Sequence, residues 1–142
     1  MKPYDMPAEY PTGLVGTAPW DAFLREVDRL LPGPVELHCT GGFVLHARYG
    51  FERPTKDVDY IEAVPDGMAS VLQSIAGPES KLAKKHHLCL DCVTISEPPD
   101  DYKERLVEMF PQRFSNLRIY ALDVHDLASV YELSGRMWAE VQ

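Results

Sequence analysis

Residues 41–60, GGFVLHARYGFERPTKDVDY, constrain the fold more than any other stretch of the chain. The stretch opens with two glycines at the start of a predicted helix and closes with Asp57 and Asp59 on a predicted strand. Side chains on a strand alternate between its two faces, so this i, i+2 spacing directs both carboxylates to one side. Two like charges at short range repel each other unless a cation lies between them. The spacing therefore predicts a cation site on one face of a sheet.

The residues around the two aspartates indicate Mg²⁺ and a phosphate group. Mg²⁺ takes one or two protein carboxylates and completes its shell with water and phosphate oxygens. Gly41 and Gly42 lack a Cβ atom, and the helix that they open can present backbone N–H groups to a phosphate. The hydroxyl of Thr40 either binds phosphate or caps that helix. Arg53 and Lys56 flank the carboxylates and can neutralise triphosphate charge.

The segment CTGGFVLHARYGFERPTKDVDYIEAVP resembles the nucleotidyltransferase superfamily of the DNA polymerase β type. The signature of that superfamily is a hydrophobic residue, Gly-Gly or Gly-Ser, a short helix, and then Asp-hydrophobic-Asp. The segment is most similar to the bacterial and archaeal branch known as DUF6036 or AbiEii-like nucleotidyltransferases. The downstream segment HLCLDCVTISEPPDDYKERLVEMFPQRFSNLRIYALDVHDLA resembles the middle and end of the same domain. The resemblance spans roughly residues 20–130 and implies the nucleotidyltransferase fold.

Asp91 is the candidate third carboxylate. In LCLDCVTIS it interrupts an apolar strand, where a charge is costly unless it is paired or bound to a metal. The resemblance implies an acidic residue on a neighbouring strand that helps to bind the catalytic metal and activates the attacking hydroxyl. The predicted catalytic and metal-binding residues are therefore Asp57, Asp59 and Asp91. The alternative for Asp91 is an exposed residue on a strand with one solvated face.

The resemblance also implies the substrates and partners. One or two Mg²⁺ ions and a nucleoside triphosphate would bind, and a nucleoside monophosphate would pass to a hydroxyl of tRNA or of a protein. The setting implied is a toxin–antitoxin or phage-defence system with a cognate partner. Phe43 stands where many relatives have serine, and the chain continues after residue 128 as SVYELSGRMWAEVQ rather than with the relatives' Lys-Leu-x-Arg stretch. The competing hypothesis is a catalytically inactive member that keeps the fold and binds a partner.

Composition predicts a single cytoplasmic domain. A chain of 142 residues can bury most of its apolar surface, and 45% hydrophobic with 25% charged residues is ordinary for a soluble protein. The sequence shows no apolar run long enough to cross a membrane, and its first residues lack an apolar signal core. Three cysteines, an odd number, favour reduced thiols in a cytoplasm. The net charge of −8 argues against a broad DNA-binding surface.

Strand and helix patterns alternate along the chain. Residues 1–19 are predicted to form an extended arm because they contain four prolines and little periodicity, and residues 20–142 a single domain. Helices are predicted at 20–31, 41–49, 65–76, about 100–109 and from 124 onward, and strands at 35–40, 56–63, 88–96 and 117–122. This order predicts an α/β (α+β) protein with a mixed sheet of about four strands flanked by helices.

Two further clusters have alternative interpretations. Cys and His in HHLCLDC, residues 86–92, are zinc-ligand types, but a strand sends Cys89 and Cys92 to opposite faces and no second Cys-x-x-Cys exists. Buried free thiols account better for these cysteines. The other cluster is basic and is interpreted as a solvated helix face or as a contact for RNA or a partner. Its members are Lys81, Lys84, Lys85, His86 and His87.

Overall fold

In the computed structural model, residues 18–50, 56–93 and 98–132 are described. Helices and strands alternate along these ranges. The helices are α1 (Ala18–Leu30), α2 (Gly41–Ala47), α3 (Met68–Ala76), α4 (Lys81–His86) and α5 (Val124–Glu132), with a 3₁₀ turn at Tyr102–Arg105. The strands are β1 (Val35–Thr40), β2 (Asp57–Val64), β3 (Cys89–Cys92), β4 (Val107–Met109) and β5 (Leu117–Ala121).

The strands form one mixed sheet in the order β3-β2-β1-β5-β4. The central strand β1 runs antiparallel to β2 and parallel to β5. On the outside, β3 pairs parallel to β2, and β4 pairs antiparallel to β5. The predicted mixed α/β architecture is confirmed, with five strands instead of about four in the described residues.

The additional strand corrects the prediction of a helix over residues 100–109. That region contains the 3₁₀ turn at Tyr102–Arg105, an extended Leu106 and then β4. A strand of three residues is too short to show an alternating pattern in the sequence. Pairing of Met109 with Ile119 of β5, a contact between distant parts of the chain, fixes it as a strand.

The third predicted helix begins later than expected. The helix predicted at 65–76 starts at Met68. Gly67 has a φ of 90° and ends a turn immediately before the helix. Because few side chains tolerate this left-handed conformation, the glycine at this position sets the boundary.

Other predicted boundaries differ by a few residues or lie outside the described ranges. The arm predicted at 1–19 falls almost entirely outside them, and Ala18 and Pro19 already belong to α1. Of the strand predicted at 88–96, the described part ends at Cys92. The second helix ends at Ala47, not at residue 49.

One face of the sheet is apolar and packs into the core with the helices. Buried side chains of the strands and of α1 belong to the same hydrophobic cluster. They include Trp20, Phe23, Leu24, Val27, Leu37, Val58, Leu90 and Ile119. A buried carboxylate, that of Asp28, ties α1 to the start of β5 by accepting backbone N–H groups of residues 115–117 at 2.7–3.0 Å.

The opposite face, called the polar face below, carries Thr40 and His38 of β1 and both aspartates of β2. A β-bulge between Tyr60 and Glu62 keeps Glu62 on this face. Tyr60 pairs with Cys39 and Glu62 pairs with His38, so two steps along β2 correspond to one step along β1. In a regular strand, Glu62 would point to the same side as Tyr60, into the core. The polar face therefore gathers charged side chains along β1 and β2.

Candidate metal centre

The three predicted aspartates converge on the polar face. Asp59 pairs directly with Asp91 in the parallel ladder of β2 and β3, so their side chains project to the same side. Oxygen atoms of Asp57, Asp59 and Asp91 all lie within 4.8 Å of one another. All three side chains are half-buried, which leaves them open to a ligand. The predicted convergence of Asp91 with the other two carboxylates is confirmed, and its role in metal binding and catalysis stays a prediction.

The cluster is electrostatically unfavourable without a cation. Burial, followed by the charges of Asp57 and Asp91, raises the pKa of Asp59 from 3.8 to about 6. A neighbouring carboxylate disfavours the ionised form, whereas a bound cation would favour it. A cation between the carboxylates would therefore lower the pKa of Asp59 again.

Gly41 makes room for the central carboxylate. Its φ is 83°, and a Cβ atom at this position would lie 2.5 Å from Oδ2 of Asp59. Real Cβ atoms do not approach an oxygen this closely, so any larger residue would displace the carboxylate. The first glycine is thus required for the position of Asp59 as well as for the turn from β1 into α2.

Thr40 lies next to this contact and directly opposite Asp59 in the antiparallel ladder. It is only 2% exposed, it occupies the N-cap position of α2, and its side chain makes no capping hydrogen bond. Among the described residues, its hydroxyl has no hydrogen-bond partner. Of the two interpretations of Thr40, helix capping by the side chain is therefore wrong, and phosphate binding stays a prediction.

Cys89 is a neighbour of the cluster that the sequence did not indicate. It pairs with Asp57 in the ladder, and its thiol donates a hydrogen bond to Oδ1 of Asp57 at 3.1 Å. Burial is the main cause that raises the pKa of this thiol to about 12, and the bond to Asp57 adds to it. Cys92 pairs with Tyr60 and lies on the other face, as predicted, and both cysteines are free.

The remaining predicted nucleotide-binding residues are placed as follows. Gly42 is buried in the first turn of α2. Lys56 is exposed and directly precedes β2. Arg53 lies outside the described residues. The structure thus brings together the aspartates, Thr40 and Gly41, while the roles of the other residues stay predictions.

The basic cluster on α4 is partly neutralised. Lys85 contacts Glu26 of α1 at 3.0 Å, and His86 forms a short hydrogen bond with the same carboxylate. These contacts lower the pKa of Glu26. Two of the five basic side chains are therefore engaged in the contact between α1 and α4.

No described helix has the length and apolar character needed to cross a membrane.

A second group of polar side chains lies on the same face and was not recognised in the sequence. His38, which is 1% exposed, contacts the hydroxyl of Tyr102 at 2.9 Å through Nδ1 and Glu36 at 2.5 Å through Nε2. Tyr102 donates to Glu62 at 2.9 Å, and Lys103 contacts Glu62 at 3.0 Å. The two-residue spacing of His38 and Thr40 could have indicated the shared face of these two residues. The face of Glu62 depends on the bulge, which the sequence pattern does not show.

Comparisons of the chain with known protein families, with curated proteins and with solved structures give no match. The resemblance to nucleotidyltransferases and the fold that it implies therefore stay predictions. The functional argument rests on the geometry of the polar face.

Proposed function

We propose that the protein is a Mg²⁺-dependent nucleotidyltransferase that moves a nucleoside monophosphate from a nucleoside triphosphate to an acceptor hydroxyl. One observation supports this above all others: the carboxylates of Asp57, Asp59 and Asp91 converge within 4.8 Å on an open sheet face beside Gly41. Carboxylates that can hold a metal ion, beside a glycine turn, are groups that metal-assisted phosphoryl transfer uses.

The donor set suits Mg²⁺. Carboxylate oxygens are its preferred protein ligands, at about 2.0–2.1 Å from the ion. In octahedral geometry neighbouring ligand oxygens are about 3 Å apart and opposite ones about 4.2 Å, so the three oxygens, which lie within 4.8 Å of one another, would move closer together around a single Mg²⁺. Asp57, Asp59 and Asp91 would hold one or two Mg²⁺ ions. The bound metal would neutralise charge on the triphosphate and position its α-phosphorus.

The residues of the chain divide the remaining work between substrate binding and proton transfer. The backbone at Gly41 and Gly42, the hydroxyl of Thr40, and the cations of Arg53 and Lys56 hold the triphosphate in this proposal. Asp91 takes the proton of the acceptor hydroxyl. The oxygen of that hydroxyl forms a bond to the α-phosphorus while the bond to the bridging oxygen of the β-phosphate breaks. Pyrophosphate leaves with the electron pair of the broken bond, so the reaction needs no oxidant or reductant.

The decisive experiment combines metal binding with transfer. Binding of Mn²⁺ as a probe for Mg²⁺ is followed by electron paramagnetic resonance, and transfer from labelled nucleoside triphosphates is followed with tRNA, protein and small-molecule acceptors. Asp57→Asn and Asp91→Asn should weaken Mn²⁺ binding and lower transfer by more than the roughly 10–100-fold loss typical of residues that only support a ligand. Asp66→Asn, an exposed change away from the cluster, is the matched control.

Two outcomes would count against this function. If the folded protein binds neither Mn²⁺ nor any nucleotide, the better conclusion is a non-catalytic interaction protein that retains the carboxylate cluster. If both aspartate variants keep full transfer activity, the cluster is not the catalytic centre. The resemblance suggests tRNA or a protein as acceptor and a toxin–antitoxin setting with a cognate partner, and the transfer assay tests each acceptor class separately.

A further inference from the structure

Residues 98–105, called the strap, lie against the polar face beside the carboxylate cluster. Tyr102 of the strap is 9% exposed, and its hydroxyl contacts His38 of β1 and Glu62 of β2, each at 2.9 Å. His38 is two residues from Thr40 on the same face of β1, which corresponds to about 7 Å along the strand. The hydroxyl of Tyr102 therefore joins the strap to both central strands close to the three aspartates.

The hydrogen bonds of His38 determine how many protons its ring carries. Nε2 lies 2.5 Å from Oε2 of Glu36, and a carboxylate only accepts hydrogen bonds, so Nε2 carries a hydrogen. The hydroxyl of Tyr102 has a single hydrogen, which it donates to Oε2 of Glu62. The oxygen of Tyr102 is then the acceptor in its contact with Nδ1, so Nδ1 carries a hydrogen as well. A ring with hydrogens on both nitrogens is an imidazolium.

A neutral ring would leave one of these contacts without a hydrogen. If Tyr102 donated to Nδ1 instead, its oxygen would face Oε2 of Glu62 at 2.9 Å with no hydrogen between them. Lys103 contacts the same Oε2 at 3.0 Å and lowers the pKa of Glu62, which keeps this carboxylate ionised. Burial, followed by the bond to Glu62, raises the pKa of Tyr102, so the phenol retains its hydrogen. Two oxygens in contact without a hydrogen bond are unfavourable, which disfavours the neutral ring.

The charges around His38 balance only when the ring is protonated. His38 is 1% exposed, and a buried charge is costly unless it is paired. Its Nε2 faces Glu36, and its Nδ1 lies 3.4 Å from Oε2 of Glu62. With the ammonium of Lys103, two positive groups then face two carboxylates. The titratable groups around the ring come from β1, β2, the strap and β5 and are Glu36, Glu62, Tyr102, Lys103 and Tyr120.

We propose that His38 is an imidazolium at neutral pH and that its second proton holds the strap against the polar face. When that proton is lost, Nδ1 can only accept, and the single hydrogen of Tyr102 serves either His38 or Glu62. One of the two contacts is then lost, so the strap detaches at Tyr102 as the pH rises. The inference involves none of the three aspartates and does not depend on the proposed function.

The end of the strap next to β4 stays attached in both states. Arg105 makes two hydrogen bonds of 2.9 Å to the buried carboxylate of Asp126 in α5. An arginine guanidinium keeps its charge at any pH at which the protein is folded. Loss of the proton from His38 therefore loosens the strap at Tyr102 alone, and it uncovers the part of the polar face next to Thr40.

Nitrogen-15 NMR of the full chain with labelled histidine, in EDTA, tests the protonation. At pH 7.5 both ring nitrogens of His38 should be protonated, whereas histidine in the same chain unfolded in urea is mostly neutral. Cross-relaxation with the ring of Tyr102, whose centre lies 5.6 Å away, identifies the His38 signals. Glu62→Gln should lower the proton affinity of His38 at least about tenfold, because it removes a carboxylate close to the ring. Glu104→Gln, an exposed change on the same strap, is the matched control and should leave it unchanged.

Amide hydrogen exchange tests whether the proton holds the strap. The N–H groups of Tyr102 and Glu104 bond to carbonyls within the strap, and that of Leu127 bonds within the segment that begins α5. After correction for the intrinsic effect of pH, exchange of Tyr102 and Glu104 should rise about tenfold once His38 has lost its proton, while Leu127 should not change.

Three results would overturn the inference. An unprotonated ring nitrogen in folded wild type at pH 7.5 would show that His38 is neutral. Equal proton affinities of His38 in Glu62→Gln and Glu104→Gln would show that Glu62 does not stabilise the imidazolium. Unchanged exchange of Tyr102 after His38 loses its proton would show that the proton does not hold the strap. The first and third measurements use wild type and remain decisive if a variant fails to fold.

Discussion

Replacing Asp59 by asparagine should stabilise the metal-free protein above pH 6 and leave its stability nearly unchanged near pH 4. Asp59 has a pKa of about 6 in the folded chain, compared with 3.8 for an ordinary aspartate. The folded state therefore holds this proton more tightly than the unfolded state does. The contribution of Asp59 to stability is therefore most favourable at low pH and falls as the pH rises from about 4 to about 6, because the folded protein then loses a proton that it binds strongly.

The magnitude follows from the same two values. One pKa unit corresponds to about 1.4 kcal/mol, so the full difference amounts to about 3 kcal/mol. The shift comes first from burial and then from repulsion by Asp57 and Asp91, and both effects are weakened because Asp59 is only half-buried, so a measured gain of about 1–2 kcal/mol is expected for Asp59→Asn at pH 7.5. Asparagine has nearly the same shape and carries no charge, so the contact with Gly41 is retained while the repulsion is lost.

The assay is urea denaturation in the presence of EDTA at pH values between 4 and 8. Wild type, Asp59→Asn and the exposed control Asp66→Asn are compared at each pH. The stability difference between Asp59→Asn and wild type should appear between pH 4 and 6 and then level off. A variant less stable than wild type at pH 7.5, or a difference that does not depend on pH, would refute the conclusion that Asp59 is destabilised by its neighbours.

Three further predictions use the same denaturation assay. Gly41→Ala should destabilise the fold by about 2–4 kcal/mol, because strain at positive φ adds to the clash with Asp59. Gly67→Ala, at a similar φ with open space around it, should cost about 1 kcal/mol. Equal losses of stability for the two variants would show that the clash with Asp59 contributes nothing. Thr40→Val should raise metal-free stability by about 1 kcal/mol, since it removes a buried hydroxyl that has no partner in the described part of the chain. A loss of stability would show that the hydroxyl is bonded. Asp28→Ala should destabilise the fold by about 3 kcal/mol or more because three backbone N–H groups lose their acceptor; a loss below 1 kcal/mol would contradict this.

Local periodicity was sufficient to predict most of the helices and strands and the shared face of Asp57 and Asp59. Alternation along a strand placed Asp57 and Asp59 on one side, and it separated Cys89 from Cys92. The glycine pair marked the turn before α2, and the apolar spacing of α1 located its buried face. These features depend on residues within a few positions of one another, so a single sequence contains the information needed to predict them.

Contacts between distant segments determined the positions of Asp91, Glu62 and β4. Asp91 joins the other aspartates only because β3 pairs parallel to β2 in the register that aligns Asp59 with Asp91. The apolar pattern of β3 disfavours a shift of one residue, but a shift of two residues would keep Asp91 on the polar face and move it about 7 Å along β2, and the pattern within β3 does not choose between these registers. Glu62 reaches the polar face only through the bulge opposite β1, and β4 exists only through its pairing with β5. The sequence by itself determined which residues could share a face, and tertiary pairing decided which of them meet, because strand register is set by long-range packing.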